Sequence, residues 1–381
     1  MARFPARIVI CRSNPVAPDP RVEKHVQTLL EAGYRVTVVG WDRSASLAKR
    51  ETREGYEIHR IPVAANYGAG MGNLFKLLAW QIRLLAWLFT HRRDFDGIHA
   101  CDFDTVLPGM AVRLAFGKKL VYDIFDFYPD HLRNVPRWVK NFIRQVDYRI
   151  INRADAVILV DDFRREQIKG TFPKRLAILY NSPADTRCPS GDFEPSPPGR
   201  LRLAYIGLFQ RERSLLEMLS ILERHTEWSL EMAGFGGDEQ EIYAAGRELP
   251  NVHWHGTIPY TRALEISSQA DVLFAIYDPA IPNHRYSSPN KLFEAMMLGK
   301  PILVARDTNM DRIISKNDCG IVVTYGQLAE LEDALRQLAE NPALRQRLGE
   351  NARRAYETLY NWDIMKSRLI ALYAQVLRAN G

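Results

Sequence analysis

A chain of 381 residues with 46% hydrophobic and 25% charged residues has material for two ordinary cores and is globular rather than disordered. Its formal charge of +6 is mild and no dense Lys/Arg run occurs, which excludes nucleic acid as the main partner while suiting an anionic substrate or membrane surface. Four well-separated cysteines, Cys11, Cys101, Cys188 and Cys319, lack metal-type spacing and read as reduced thiols of a cytoplasmic protein without a zinc site.

Strands and helices alternate from the start. Ile8 to Cys11 is an apolar run too short for a signal-peptide core and reads as a strand. A Pro-rich loop, Ser13 to Pro20, leads into a helix over Arg21 to Ala32 that Gly33 closes, and Arg35 to Gly40 supply the next strand. The loop has no Gly-x-Gly fingerprint, which argues against a dinucleotide. Leu74 to Arg93 is the longest apolar stretch, and Lys76, Gln81 and Arg83 interrupt it short of a membrane span. Wound at about 100° per residue, Leu77, Leu78, Leu84, Leu85 and Leu88 share one face and Lys76, Trp80, Arg83 and Trp87 the other. With the leucines on the core, the second face either meets anionic lipid or lies under a neighbouring loop.

Gly97 to Cys101 is a further strand. The Asp102-Phe103-Asp104 triplet invites a metal, but Asp104 directly precedes a helical pattern and is better explained as an N-cap, so no metal is expected. Lys119 to Asp130 is strand plus loop, with Asp123 and Asp126 among aromatics. A carboxylate there serves as a base, accepts a hydrogen bond, or caps the loop. Arg153 to Val160 and Ala177 to Tyr180 are strands, with Asp161 or Asp162 capping the helix between them. The proline-rich run that follows is a linker, set at residues 185–200 between domains at 1–184 and 201–361, with 362–381 as a closing helix.

Beyond the linker, Leu203 to Ile206 run into Gly207 and a basic loop carrying Arg211 and Arg213. LEMAGFGGDEQEI, VHWHGTIP and ADVLFAIYDP repeat the strand-to-loop pattern, so four parallel strand ends converge on one edge, where open α/β sheets bind ligands. In Asn283 to Ala305, Ser288 suits a helix cap, Pro289 the first helical position, and Gly299 followed by Pro301 the end. The first-turn N–H groups of Asn290 and Lys291 form an anion site, and Lys291 sits where the helix dipole disfavours a cation unless an anion joins it. The plain alternative is a solvated Lys291–Glu294 pair. Leu328 to Leu348 and Asn351 to Leu377 read as closing helices.

SSPNKLFEAMMLGKPI, residues 287–302, closely resembles the donor-binding motif of glycosyltransferase family four, the group 1 glycosyltransferases. The resemblance implies an α/β chain of GT-B fold, two Rossmann-like domains with parallel sheets facing a cleft. It also implies a metal-independent, retaining transfer from a UDP- or GDP-sugar to a glycan or lipid-linked acceptor, with no cofactor. Ser288, Pro289, Asn290 and Lys291 then meet the diphosphate and Glu294 the ribose. Gly207, Arg211 and Arg213 join the donor site, Arg213 aligning with the family's diphosphate-binding Lys, while Pro259 lies in the nucleobase loop. Asp19 and Arg21, in PDPRVEKHVQTLLEAGYRVTVV, fall on the acceptor-facing loop. Two departures stand out. Tyr286 replaces a Glu that contacts the transferred sugar, and Phe125 replaces a His near it, leaving Asp126 as the candidate catalytic carboxylate. These departures keep open a scaffold subunit that only binds nucleotide sugar, and an inverting enzyme using Asp126 as base. Polysaccharide or glycoconjugate synthesis, cytoplasmic or peripheral on the inner membrane face, is the expected setting.

Overall fold

The computed structural model describes residues 5–65, 74–132, 135–186 and 194–378. Cys188 and much of the expected linker lie outside them. The chain divides into two compact units, Met1–Tyr180 with Met365–Gly381, and Asn181–Ile364.

In the first unit the strands are β1 (Arg7–Arg12), β2 (Arg35–Asp42), β3 (Arg50–Arg53), β4 (Tyr56–Pro62), β5 (Gly97–Cys101), β6 (Lys119–Ile124), β7 (Ala156–Leu159) and β8 (Leu176–Ile178). They form one sheet in the order β3-β4-β2-β1-β5-β6-β7-β8, parallel except for the β3–β4 hairpin. Every residue of β5 and β7 is buried, as expected for strands covered by helices on both faces. The helices are α1 (Pro20–Glu31), α2 (Leu74–Thr90), α3 (Phe103–Phe116), the single turn α4 (Tyr128–His131) and α5 (Arg137–Arg153). Asp19 caps α1, its carboxylate accepting from Val22 N–H, and Pro20 fills the first helical position. Asp161 caps a short 3₁₀ turn, Asp162–Glu166.

Three expectations fail here for identifiable reasons. On α2 the core face is Trp80, Leu84 and Leu88, while Leu78 and Leu85 are exposed. Trp80 is fully buried, stacked on Trp41 at 5.5 Å, and Trp87 packs on His91 at 4.1 Å and against His59, so neither Trp belongs to an exposed face with Lys76 and Arg83. A Trp removes more apolar area from water than a Leu, and the ring of Trp41 waits on the sheet to receive it. Second, the cap position of α3 is Asp102, not Asp104, which is buried in the first turn. Third, Arg21, expected on an acceptor-facing loop, lies in the first turn of α1 and is buried.

The second unit holds β9 (Leu201–Leu208), β10 (Trp228–Phe235), β11 (Val252–Trp254), β12 (Val272–Ala275), β13 (Ile302–Ala305) and β14 (Gly320–Val323), in the parallel order β11-β10-β9-β12-β13-β14. Around them run α6 (Leu215–Arg224), α7 (Glu239–Gly246), α8 (Tyr260–Gln269), α9 (Pro282–Arg285), α10 (Asn290–Leu298), α11 (Met310–Asn317), α12 (Leu328–Glu340) and α13 (Pro342–Ala355). Leu203, Phe274 and Leu303 line its core. The expected helix through Leu348 is broken at Pro342, which lacks the N–H to continue α12 and starts α13 under an Asn341 cap. After a π-helical turn, Tyr356–Tyr360, the last helix α14 (Trp362–Arg378) returns the chain to the first unit. No helix among the described residues is long and apolar enough to cross a membrane.

Candidate active site

The second unit gathers its cations where β9 ends and α10 begins. The N-cap of α10 is Pro289 rather than Ser288, and no side chain caps the first turn; Gly299, in the left-handed region at φ 65°, closes the helix. Ser288 is buried, its carbonyl accepting from Asn181. Lys291 sends its ammonium to the face of Tyr205, 3.6 Å from the ring centroid, where Nζ is buried without a hydrogen-bond partner. A Cβ at Gly207 would stand 2.9 Å from that Nζ, so the glycine makes room for it. Gly234 serves similarly behind, since its Cβ would fall 1.8 Å from the Gly207 carbonyl.

Arg213 lies over Tyr277 at 3.6 Å and donates weakly to Gln210 Oε1 at 3.4 Å. Burial and then the Arg213 charge push the Lys291 ammonium well below its ordinary pKa, with Glu294 opposing. Glu294 accepts from the Tyr260 hydroxyl. Two cations and one carboxylate therefore share this edge, and a buried ammonium without acceptors is costly unless an anion joins it. His284, beside Tyr277 at 5.3 Å, faces the Asp278 carbonyl through Nδ1 at 3.1 Å, so Nδ1 carries the proton. Burial and then Arg213 lower its pKa to about 4, leaving Nε2 a neutral acceptor near neutrality.

Of the residues the sequence singles out, Gly207, Arg213, Lys291 and Glu294 come together. Arg211 turns away to Glu241 at 2.6 Å on the surface. Asn290 opens α10, Tyr286 ends α9 half-buried, and Pro259 caps α8. Tyr205, Tyr277, Tyr260 and His284 escaped the sequence reading; a Tyr two residues before a strand-end Gly was the available signal.

In the first unit, Asp126 is half-exposed and its Oδ1 accepts from Arg164 at 3.1 Å. Its loop is held from below by Asp102, whose Oδ1 accepts from the Phe125 and Asp126 N–H groups at 2.8 and 3.2 Å and whose carboxylate also pairs with Arg12. Burial raises Asp102 to about 6. The expected acceptor residues are engaged internally. Asp19 accepts from Arg12 and Asn14, and Arg21 donates to Asp123 at 3.0 Å and to the Leu179 carbonyl at 2.9 Å. Burial by itself would raise Asp123, yet Arg21 and the His99 hydrogen bond hold its carboxyl well below the ordinary range. His25, His99 and Asp123 have donor atoms within 4.8 Å of one another. Arg21 already lies on both Asp123 oxygens and Tyr373 on His99 Nδ1, so the cluster reads as a buried network that ties α14 to β5 and β6.

Residues 18–182 match the family model of the glycosyl transferase 4-like domain, and 195–355 that of glycosyl transferases group 1. The chain is 22% identical over 390 residues to a glycogen synthase of Mycobacterium tuberculosis, covering 93% of this chain and 90% of that protein. Among solved structures it is similar to sucrose-phosphate synthase from Thermosynechococcus elongatus, with a TM-score of 0.78 at 15% identity over 98% of this chain and 100% of that one. It is also similar to Anabaena HepE in complex with UDP and glucose, with a TM-score of 0.71 at 13% identity over 96% and 99%. The fold shared with these structures is GT-B.

Proposed function

This chain belongs to the group 1 glycosyltransferases, and from that premise we propose that it transfers a sugar from a UDP- or GDP-sugar to a hydroxyl of a glycan or lipid-linked acceptor, without a metal. One observation carries the reading: the unpartnered Lys291 ammonium, with Arg213 and Glu294, at the uncapped start of α10. The diphosphate takes the charge-assisted bonds that Lys291 and Arg213 leave unmade, and the α10 N–H groups add to them. Glu294, oriented by Tyr260, accepts from the ribose hydroxyls. As the acceptor oxygen bonds to the anomeric carbon, the bond from that carbon to phosphate breaks, and the two cations stabilise the charge on the departing diphosphate.

Retention is the stereochemistry we favour, with the acceptor proton passing to a leaving-phosphate oxygen, a mechanism that places its main demand on the Lys291 and Arg213 edge. Synthesis of a polysaccharide or glycoconjugate on the cytoplasmic side of a membrane is the proposed setting. Tyr286 favours a second reading, a scaffold that binds nucleotide sugar without turnover. Titration with a panel of nucleotide sugars, followed by assay for released nucleoside diphosphate, tests both. Binding with release supports the enzyme, binding without release supports the scaffold, and no binding by any donor overturns both.

A further inference from the structure

The side of the first sheet that carries α2, α3 and α5 exposes an unusual amount of apolar surface. Crossovers β4-α2-β5, β5-α3-β6 and β6-α5-β7 all advance in one direction along the sheet, which places the three helices on one side. Along α2, Phe75 is 82% exposed, Ile82 58% and Phe89 50%, on the side away from the buried Trp80. The stripe continues onto α3, where Phe116 meets Phe89 at 5.2 Å under the guanidinium of Arg92. At the start of α5, Trp138 and Phe142, one turn apart, are 74% and 64% exposed. Exposed aromatic and aliphatic side chains on this scale mark an interaction surface.

Charge identifies the occupant. α2 contains no acid, and the acids of α3 and α5, Asp104 and Asp147, are both buried. The cations face solvent: Lys76 and Arg83 on α2, and Arg137, Arg149 and Arg153 on α5. Two copies docked by this face about a twofold axis would set cations against cations. An anionic bilayer matches both properties, apolar rings at the acyl boundary and cations among the headgroups.

We propose that the α2–α3–α5 face docks this protein on an anionic membrane surface. The proposal gives the lipid-linked acceptor of the previous section a place to be met, and rests on that reading only for its purpose. The test is flotation of the full chain with phosphatidylglycerol-containing and pure phosphatidylcholine vesicles at low and high salt. Ile82→Glu/Phe89→Glu and Trp138→Ala/Phe142→Ala are compared with the wild type, and UDP binding and thermal melting are run on each. Recovery with anionic vesicles should fall about tenfold in the Glu variant, and severalfold in the wild type at high salt or without phosphatidylglycerol, with melting and UDP binding unchanged. Equal recovery of wild type and variants, or no wild-type flotation at low salt, overturns the proposal while leaving the donor reading intact. A wild-type dimer in light scattering that the Glu variant dissociates also overturns it, by making the face a contact between copies. Failure of the wild type to bind either UDP or GDP would instead count against the donor reading.

Discussion

Lys291 Nζ stands 3.6 Å from the centroid of the Tyr205 ring and has no hydrogen-bond partner. A cation held only by a π face is poised to exchange it for a phosphate oxygen, because a charge-assisted hydrogen bond outweighs a cation–π contact. Burial and Arg213 lower the Lys291 pKa in the free protein, whereas a bound diphosphate restores it. Diphosphate binding should therefore take up a proton at pH values above the depressed pKa, and affinity should fall as pH rises past it. Calorimetry of UDP in buffers of different ionisation enthalpy measures the uptake. Lys291→Met should abolish it and weaken binding about tenfold or more; unchanged uptake in that variant would place the proton elsewhere.

The two arginines of the β9 loop should behave differently. Arg213→Ala removes a charge-assisted bond worth roughly 1.5 to 3 kcal/mol, at least about tenfold in donor affinity. Arg211→Ala breaks an exposed pair with Glu241, and donor affinity should barely change. Glu294→Ala should match Arg213→Ala in size. Equal losses for Arg211 and Arg213 would mean the loop rearranges on binding.

Asp126 decides between two chemistries. As a general base its Asn variant should lose about two to four orders of magnitude in turnover with donor binding intact. As a residue that only positions the acceptor, it should lose less, and partly in acceptor affinity. NMR of the product's anomeric centre settles the stereochemistry: an inverted linkage would replace the retaining mechanism and assign the base to Asp126.

The orientation of α2 predicts opposite costs for two aromatic truncations. Trp80→Ala leaves a cavity against Trp41 and should cost about 3 to 5 kcal/mol, while Phe75→Ala, in solvent, should stay within about 0.5 kcal/mol. Urea unfolding compares them; a large cost for Phe75 would reverse the assignment of faces.

Acid stability carries a signature of Asp102. Its folded pKa of about 6 lies above the ordinary carboxylate value because of burial, so between about pH 4 and 6 the folded chain binds the proton more tightly than the unfolded one. This group therefore contributes a loss of stability as pH rises through that window. In Asp102→Asn, which keeps a carbonyl oxygen for the Phe125 and Asp126 N–H groups, that loss should disappear from melting curves taken across the window.

What the sequence determined by itself is local. Alternating apolar runs and Gly or Pro stops place the strands, because parallel strands buried on both faces must be continuously apolar. The Pro289-to-Gly299 punctuation marks α10, and with it Lys291 and Glu294 as neighbours on one helix face. What only the tertiary structure decided depends on surfaces far away in the chain. That α2 buries Trp80 beside Leu84 and Leu88, and leaves Leu78 and Leu85 outside, turns on the ring of Trp41 on the sheet beneath it. Arg21 looks like a surface charge until β6 brings Asp123 to meet it 102 residues on. Tyr205 reads as an ordinary strand residue, and becomes the rest for Lys291 because β9 ends and α10 begins at the same edge of one parallel sheet.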